Sequence, residues 1–211
     1  MQYKCIIFDC DGVLVDSEAT SIAVLVGMAA DIGLELDLAT AIQAYSGHSL
    51  AYCLEDIERQ AAQPLAANKV DLFRERTFRA FRQDLKAIPG VELVLKQIKC
   101  PICVASNAPK DKIQLNLNLL KLNHYFDGHY FSAYDLQKWK PEPDLFLHAA
   151  QQMGFAVKDC AVIEDSLAGV QAAVRGGFDV FAYTNISGAA TLKKAGAKVF
   201  YSMSDLIPLI Q

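Results

Sequence analysis

Two carboxylates one residue apart, Asp9 and Asp11, follow the apolar run Cys5–Phe8, with Gly12 directly behind them. In an extended chain residues two apart point the same way, so both acids face one reacting centre. Gly12 permits the sharp turn that follows. Carboxylates this close repel, and one pKa rises unless a cation intervenes. An ionised Asp9 beside a protonatable Asp11 suits nucleophilic catalysis with acid–base help. A solvated loop of acids is the plain alternative. An EF-hand calcium loop is not, because Val13 and Thr20 stand where an oxygen ligand and a Glu are required.

Further polar clusters end other apolar runs. Ser106-Asn107-Ala108-Pro109 follows Ile102–Ala105. Its hydroxyl, amide and backbone N–H groups suit a phosphate oxygen, and equally an ordinary helix cap. In Trp139-Lys140-Pro141-Glu142-Pro143-Asp144 the prolines fix the backbone just after Lys140. A lysine held this way can neutralise a phosphoryl oxygen or hold a carboxylate nucleophile in place, although a surface lysine in a proline-rich loop is unremarkable in itself. Glu164-Asp165-Ser166 closes the run Cys160–Ile163 and opens a helical pattern. It reads as a helix cap or as a second acid pair facing the first. Four carboxylates beside one lysine repel badly without metal. A hard divalent cation with oxygen ligands relieves this, and Mg²⁺ is the natural choice beside a phosphate.

The elements that must position these clusters are short β-branched runs alternating with helical patterns. Strands are expected at Cys5–Phe8, Ile102–Ser106, His129–Ser132, Ala161–Ile163, Val180–Tyr183 and Lys198–Tyr201. Helices are expected at Val91–Lys99, Lys110–Leu122, Asp144–Met153, Ala168–Gly176 and Ala189–Ala195. Such alternation predicts a parallel sheet covered on both faces, with ligands bound beyond the carboxyl ends of the strands. The clusters all fall at that end. Residues 17–85 break the alternation. Ile22, Leu25, Met28, Ala29 and Ile32 keep helical spacing, as do Val70, Phe73, Thr77 and Phe81, with a helix start expected near Pro64. The Pro-Gly break at Ala87–Val91 marks the return. The fold class expected is therefore α/β: a Rossmann-like parallel sheet core over 1–15 and 86–211, with an inserted all-helical domain over 16–85.

Composition agrees with a globular domain. The chain has 211 residues, 53% hydrophobic and 21% charged, so it can bury a full core and is not disordered. A net charge of −4 without a Lys/Arg run speaks against nucleic acid. No apolar run is long enough for a membrane span, and the N-terminus lacks a signal-peptide cleavage pattern. The six cysteines, several inside strand-like runs, suit a reducing cytoplasm. Cys100-Pro-Ile-Cys103 has neither a second CxxC nor a His pair to complete a zinc site, and reads as two cysteines at a strand start.

Taken in order, the motifs DCDGVLVDS, VASN, WKPEPD and IEDSLAG resemble the haloacid dehalogenase-like hydrolase superfamily, and the likeness covers nearly the whole chain. The resemblance implies a Rossmann-like core with a helical cap after the first motif. It also implies that Asp9 attacks phosphorus to form an aspartyl-phosphate, and that Asp11 protonates the leaving alcohol and later activates water. Ser106 and Lys140, with Asn107 beside them, would hold the phosphoryl group. Asp165, the Asp9 side chain and the Asp11 carbonyl would ligate Mg²⁺, with Glu164 helping from the outer shell. Tyr134–Ala150 looks most similar to bacterial sugar-phosphate phosphatases of the 6-phosphogluconate phosphatase type.

Some residues depart from relatives. Trp139 stands where many have Gly, and packing explains it better than substrate contact. Tyr45–Cys53 occupies the expected specificity loop, where Gly47 and His48 are candidates to touch substrate. Relatives that are β-phosphoglucomutases carry Lys and Arg around that Gly, whereas Ser46, His48, Ser49 and Leu50 stand here. Asp11 argues against dehalogenation, since that branch lacks this acid. The function expected is a Mg²⁺-dependent phosphatase for a small phosphorylated metabolite, a sugar phosphate or sugar-acid phosphate, acting in the cytoplasm as a monomer or weak homo-oligomer. A phosphomutase, which keeps the phosphoryl group on sugar, and a non-catalytic binding protein on the same fold are the alternatives.

Overall fold

Short runs dominated by apolar residues, charged at one end at most, are stable only where both faces of a sheet are covered. In the computed structural model, which describes residues 2–46, 48–184 and 188–211, six such runs are strands. They are β1 (Cys5–Phe8), β2 (Ile102–Ser106), β3 (Tyr130–Ser132), β4 (Cys160–Glu164), β5 (Asp179–Tyr183) and β6 (Lys198–Phe200). All pair in parallel, in the order β3-β2-β1-β4-β5-β6. The central strand β1 is in register with both neighbours, Phe8 opposite Val104 on one side and Ile163 on the other. The order reverses at β1, which makes its carboxyl end the switch point of the sheet.

Alternate residues feed the two faces. Cys5, Ile7, Cys103, Ala105 and Val162 pack with Leu145, Phe146, Ala149, Val170 and Ala173 from the helices Asp144–Gln152 and Leu167–Arg175. On the other face Phe8 meets Phe126 edge-on, with ring centroids 6.2 Å apart. The strands, and the helices expected after residue 86, are present with ends shifted by three residues at most. Cys103 is buried in β2, Cys100 is half-buried just before it, and all six cysteines are free thiols.

The chain divides into two compact units, one of 1–15 with 86–211 and one of 16–85. Within the first, the Ile88 N–H donates to the Leu14 carbonyl at 3.1 Å, so the point of departure and the point of return are adjacent. The second unit is built, among the described residues, from the helices Glu18–Asp31, Leu38–Tyr45, Leu50–Ala61 and Lys69–Asp84. Ile22, Leu25, Met28 and Ala29 of the first pack with Ala41, Tyr45, Leu54 and Ile57 of the next two. The helix start expected near Pro64 is wrong. The helix begins at Lys69, and Val70 is exposed. Glu58 explains the delay: its carboxylate accepts from the Leu65 N–H at 2.9 Å and from Lys69 Nζ at 2.7 Å, which holds the intervening residues out as a linker. Among the described residues no helix is long and apolar enough to cross a membrane.

Candidate active site

Asp9 is the first residue past β1, and its N–H still donates to the Ile163 carbonyl at 2.9 Å, so the ladder fixes its backbone. Beyond it the chain turns tightly. The N–H groups of Leu14 and Val15 both donate to the Cys10 carbonyl, and the Gly12 N–H donates to the Val15 carbonyl at 2.8 Å. Lys140 reaches the same place from the loop before the helix Asp144–Gln152. Its Nζ lies 2.5 Å from Asp9 Oδ1, 2.7 Å from Glu164 Oε1 and 4.7 Å from the centroid of Phe146. All three charged groups are buried. Burial alone would lower the Lys140 ammonium, but Asp9 and Glu164 raise it above the usual lysine range. Burial pushes the Asp9 carboxyl up to about 7, helped by Glu164 and Asp11 and opposed by Lys140.

The corner after β4 is wired through Glu164. Its Oε2 accepts from the Asp165 N–H, the Ser166 N–H and the Ser166 hydroxyl, at 2.8, 2.8 and 2.9 Å, while Oε1 takes Lys140. The Ser166 Oγ in turn accepts from the Gly169 N–H at 3.0 Å and caps the helix. A Cβ at Gly169 would coincide with the Glu164 carboxylate, and a Cβ at Gly12, whose φ is +82°, would coincide with the Asp165 carboxylate. Two glycines thus make the room in which these acids lie.

Asp9, Glu164 and Asp165 each offer an oxygen within 4.8 Å of the others. Burial, then Glu164 and Asp9, raise the Asp165 carboxyl well above its ordinary range. An all-oxygen donor set, with Asp9 and Glu164 buried and Asp165 half-buried, fits a hard divalent cation such as Mg²⁺. Asp165 and Asp9 are the side chains best placed to hold it, because both Glu164 oxygens already accept hydrogen bonds.

Asp11 stands apart from that cluster. Its Oδ2 pairs with Lys112 Nζ at 2.8 Å. Burial alone would lower the Lys112 ammonium, but Asp11 more than offsets this and raises it. Sequence reasoning missed Lys112. The available signal was a cation in the first turn of a helix, where the dipole disfavours one.

Ser106 ends β2, next to β1, and its Oγ accepts from the Ala108 N–H at 3.1 Å. Asn107 turns its Oδ1 to the Lys140 backbone N–H at 3.0 Å and so ties the two loops together. The structure therefore brings Asp9, Lys140, Glu164 and Asp165 into direct contact or close approach, with Asn107 one bond away. His48 lies in the other unit, where its ring stacks on Tyr52 at 4.3 Å. Gly47 lies outside the described residues. Trp139 packs edge-on against Tyr134 at 5.7 Å and stays 40% exposed.

A buried Asp–Lys–Glu ion triad and a second Asp thus lie together at the switch point of a doubly wound sheet. Residues 3–177 match the family model of the haloacid dehalogenase-like hydrolases, and the chain belongs to that family. It is 36% identical to the 6-phosphogluconate phosphatase of Escherichia coli strain K12 over 179 residues, 84% of this chain and 81% of the relative. A haloacid dehalogenase-like protein from Agrobacterium tumefaciens superposes with a TM-score of 0.87 at 33% identity, covering 99% of this chain and 97% of the other. A family hydrolase from Deinococcus radiodurans, solved with bound phosphate and sodium, gives a TM-score of 0.83 at 28% identity, over 97% and 93%.

Proposed function

We propose that the chain is a Mg²⁺-dependent phosphatase that hydrolyses a sugar phosphate or sugar-acid phosphate through an aspartyl-phosphate on Asp9. The observation that carries this reading is the clasp of Lys140 on Asp9 and Glu164 at 2.5 and 2.7 Å in a buried setting. It aims a carboxylate at the switch point and keeps a cation beside it. The phosphatase relative from Escherichia coli and the phosphate in the Deinococcus protein support the substrate class.

In this reading Asp9 attacks phosphorus while the bond to the leaving oxygen breaks, and Asp11 gives that oxygen its proton. Water then attacks the aspartyl-phosphate, Asp11 takes its proton, and the bond to Asp9 breaks to release inorganic phosphate. Lys140, Ser106 and Asn107 hold the phosphoryl oxygens between the two steps. Asp9, Asp165 and the Asp11 carbonyl, with Glu164 behind, would hold Mg²⁺, which would supply positive charge to the phosphoryl oxygens. Uncatalysed phosphomonoester hydrolysis is so slow that the site must remove about 20 kcal/mol from the barrier. No single contact supplies that, so nucleophile, acid, lysine and metal act together. The six free thiols suit the cytoplasm as its setting.

The test is a panel of phosphorylated metabolites with free-phosphate detection, on wild type and Asp9→Asn. Expected are Mg²⁺-dependent phosphate release by wild type and a loss of at least about 10³-fold in the variant. Equal turnover by Asp9→Asn rejects the nucleophile. Transfer of the phosphoryl group within the sugar, with no free phosphate, identifies a mutase.

A further inference from the structure

Each acid of the opening pair has its own lysine, delivered by a different loop. Lys140 holds Asp9, and Lys112 Nζ lies 2.8 Å from Asp11 Oδ2. Lys112 is the third residue of the helix Lys110–Leu119. The helix dipole disfavours a cation there, so the position makes sense through what the ammonium meets. Its mount is firm. The Ser106 Oγ accepts from the Ala108 N–H, the Ser132 Oγ donates to the Ala108 carbonyl at 2.7 Å, and Asn107 is bonded to the Lys140 backbone. The loop that carries Lys112 is thus tied to β3 and to the Lys140 loop before the helix begins. Asp11, meanwhile, is not one of the three acids that approach within 4.8 Å of one another, although it is only two residues from Asp9.

We propose that Lys112 is a positioning residue that draws the Asp11 carboxylate away from the Asp9–Glu164–Asp165 cluster and aims it at the leaving-group oxygen. The inference rests on the phosphatase reading above. It separates two acids that the sequence places side by side, leaving Asp9 to the phosphorus and Asp11 to proton transfer. In the first step Asp11 in its protonated form passes that proton to the leaving alkoxide oxygen as the P–O bond breaks, and the carboxylate that results is held by the Lys112 ammonium. A misdirected Asp11 therefore hurts esters whose alcohol leaves poorly and spares those whose leaving group needs no proton.

Single-turnover release of the alcohol isolates that step. The probes are p-nitrophenyl phosphate, with a good leaving group, and 6-phosphogluconate or fructose 1-phosphate, whichever wild type cleaves faster. Lys112→Met is expected to slow the sugar ester by about 10- to 100-fold and the aryl ester by less than about 3-fold, with KM little changed. Lys112→Arg should restore most of the loss, and Lys112→Met should add almost nothing on an Asp11→Asn background. Equal losses on both esters, a loss confined to KM, or losses that multiply with Asp11→Asn would each overturn the proposal, as would an unaffected Lys112→Met. Those results leave the phosphatase reading standing if wild type releases phosphate. A wild type that cleaves neither ester overturns both. The ratio between esters is read within one variant, so a partly unfolded preparation does not mimic it.

Discussion

Asp9 sits between opposing influences. Burial and the acids Glu164 and Asp11 push its carboxyl up to about 7, while Lys140 pulls it down. Between its ordinary 3.8 and about 7 the folded protein holds a proton that the unfolded chain has released. Stability of the metal-free protein should therefore fall as pH rises through that window, and the penalty is complete above it. A cation at the cluster competes with that proton. Millimolar Mg²⁺ is thus expected to raise the melting temperature more near about pH 8 than near about pH 5.5. Asp9→Asn should flatten the difference, because the amide does not titrate. Melting scans of the two proteins, with EDTA and with Mg²⁺, check this, and a Mg²⁺ effect that grows on acidification would contradict it. Asp9, Ser106 and Glu164–Asp165 stand out in the sequence because an apolar run that stops abruptly at polar residues marks a strand end, whereas Lys140, in a loop well past its strand, stands out only by the prolines that follow it. Lys112 was not legible, since a lone lysine in a helical pattern looks like any solvated face until its partner 101 residues away is placed.

At the level of elements, the corner between β4 and its helix is the most tightly specified. Ala is usually favoured over Gly inside a helix by about 1 kcal/mol. At Gly169 the sign should reverse, because the added methyl group meets the Glu164 carboxylate. Gly169→Ala is expected to lower the melting temperature and to weaken activity by displacing Glu164 from Lys140. Thermal melts alongside the turnover assay check it, and a stabilised, fully active variant would show that Glu164 has room to move. The core helices were readable from their periodicity, ends included to within three residues. The helix after Pro64 was misplaced because proline is common at a first helical position, and nothing local reveals that Glu58 holds the next residues in a linker. Leu38–Tyr45 and Leu50–Ala61 went unnoticed as separate helices. Their caps, Asp37 on the Thr40 N–H and Ser49 on the Tyr52 N–H, resemble ordinary loop residues until seen in place.

For the molecule as a whole, the unit of 1–15 and 86–211 contains the complete sheet and a core drawn from its own strands and helices. The hydrogen bond from Ile88 to Leu14 brings its two cut ends together. Replacing 16–85 with a short Gly/Ser linker should leave a chain that melts cooperatively and keeps its parallel sheet. Its turnover of sugar phosphates should fall further than its turnover of p-nitrophenyl phosphate, if the helical unit reads the leaving group. Calorimetry and the two assays check this; a molten core would mean that the helical unit supplies stability as well. The overall α/β order was legible because β1 and β2 carry no charged residue and β4 and β5 carry theirs only at one end, Glu164 and Asp179.

Gly12 and Asp165 touch so closely that no side chain fits between them. Any side chain at position 12 would have to push the Asp165 carboxylate aside, so that acid keeps its place only while residue 12 contributes nothing but main chain.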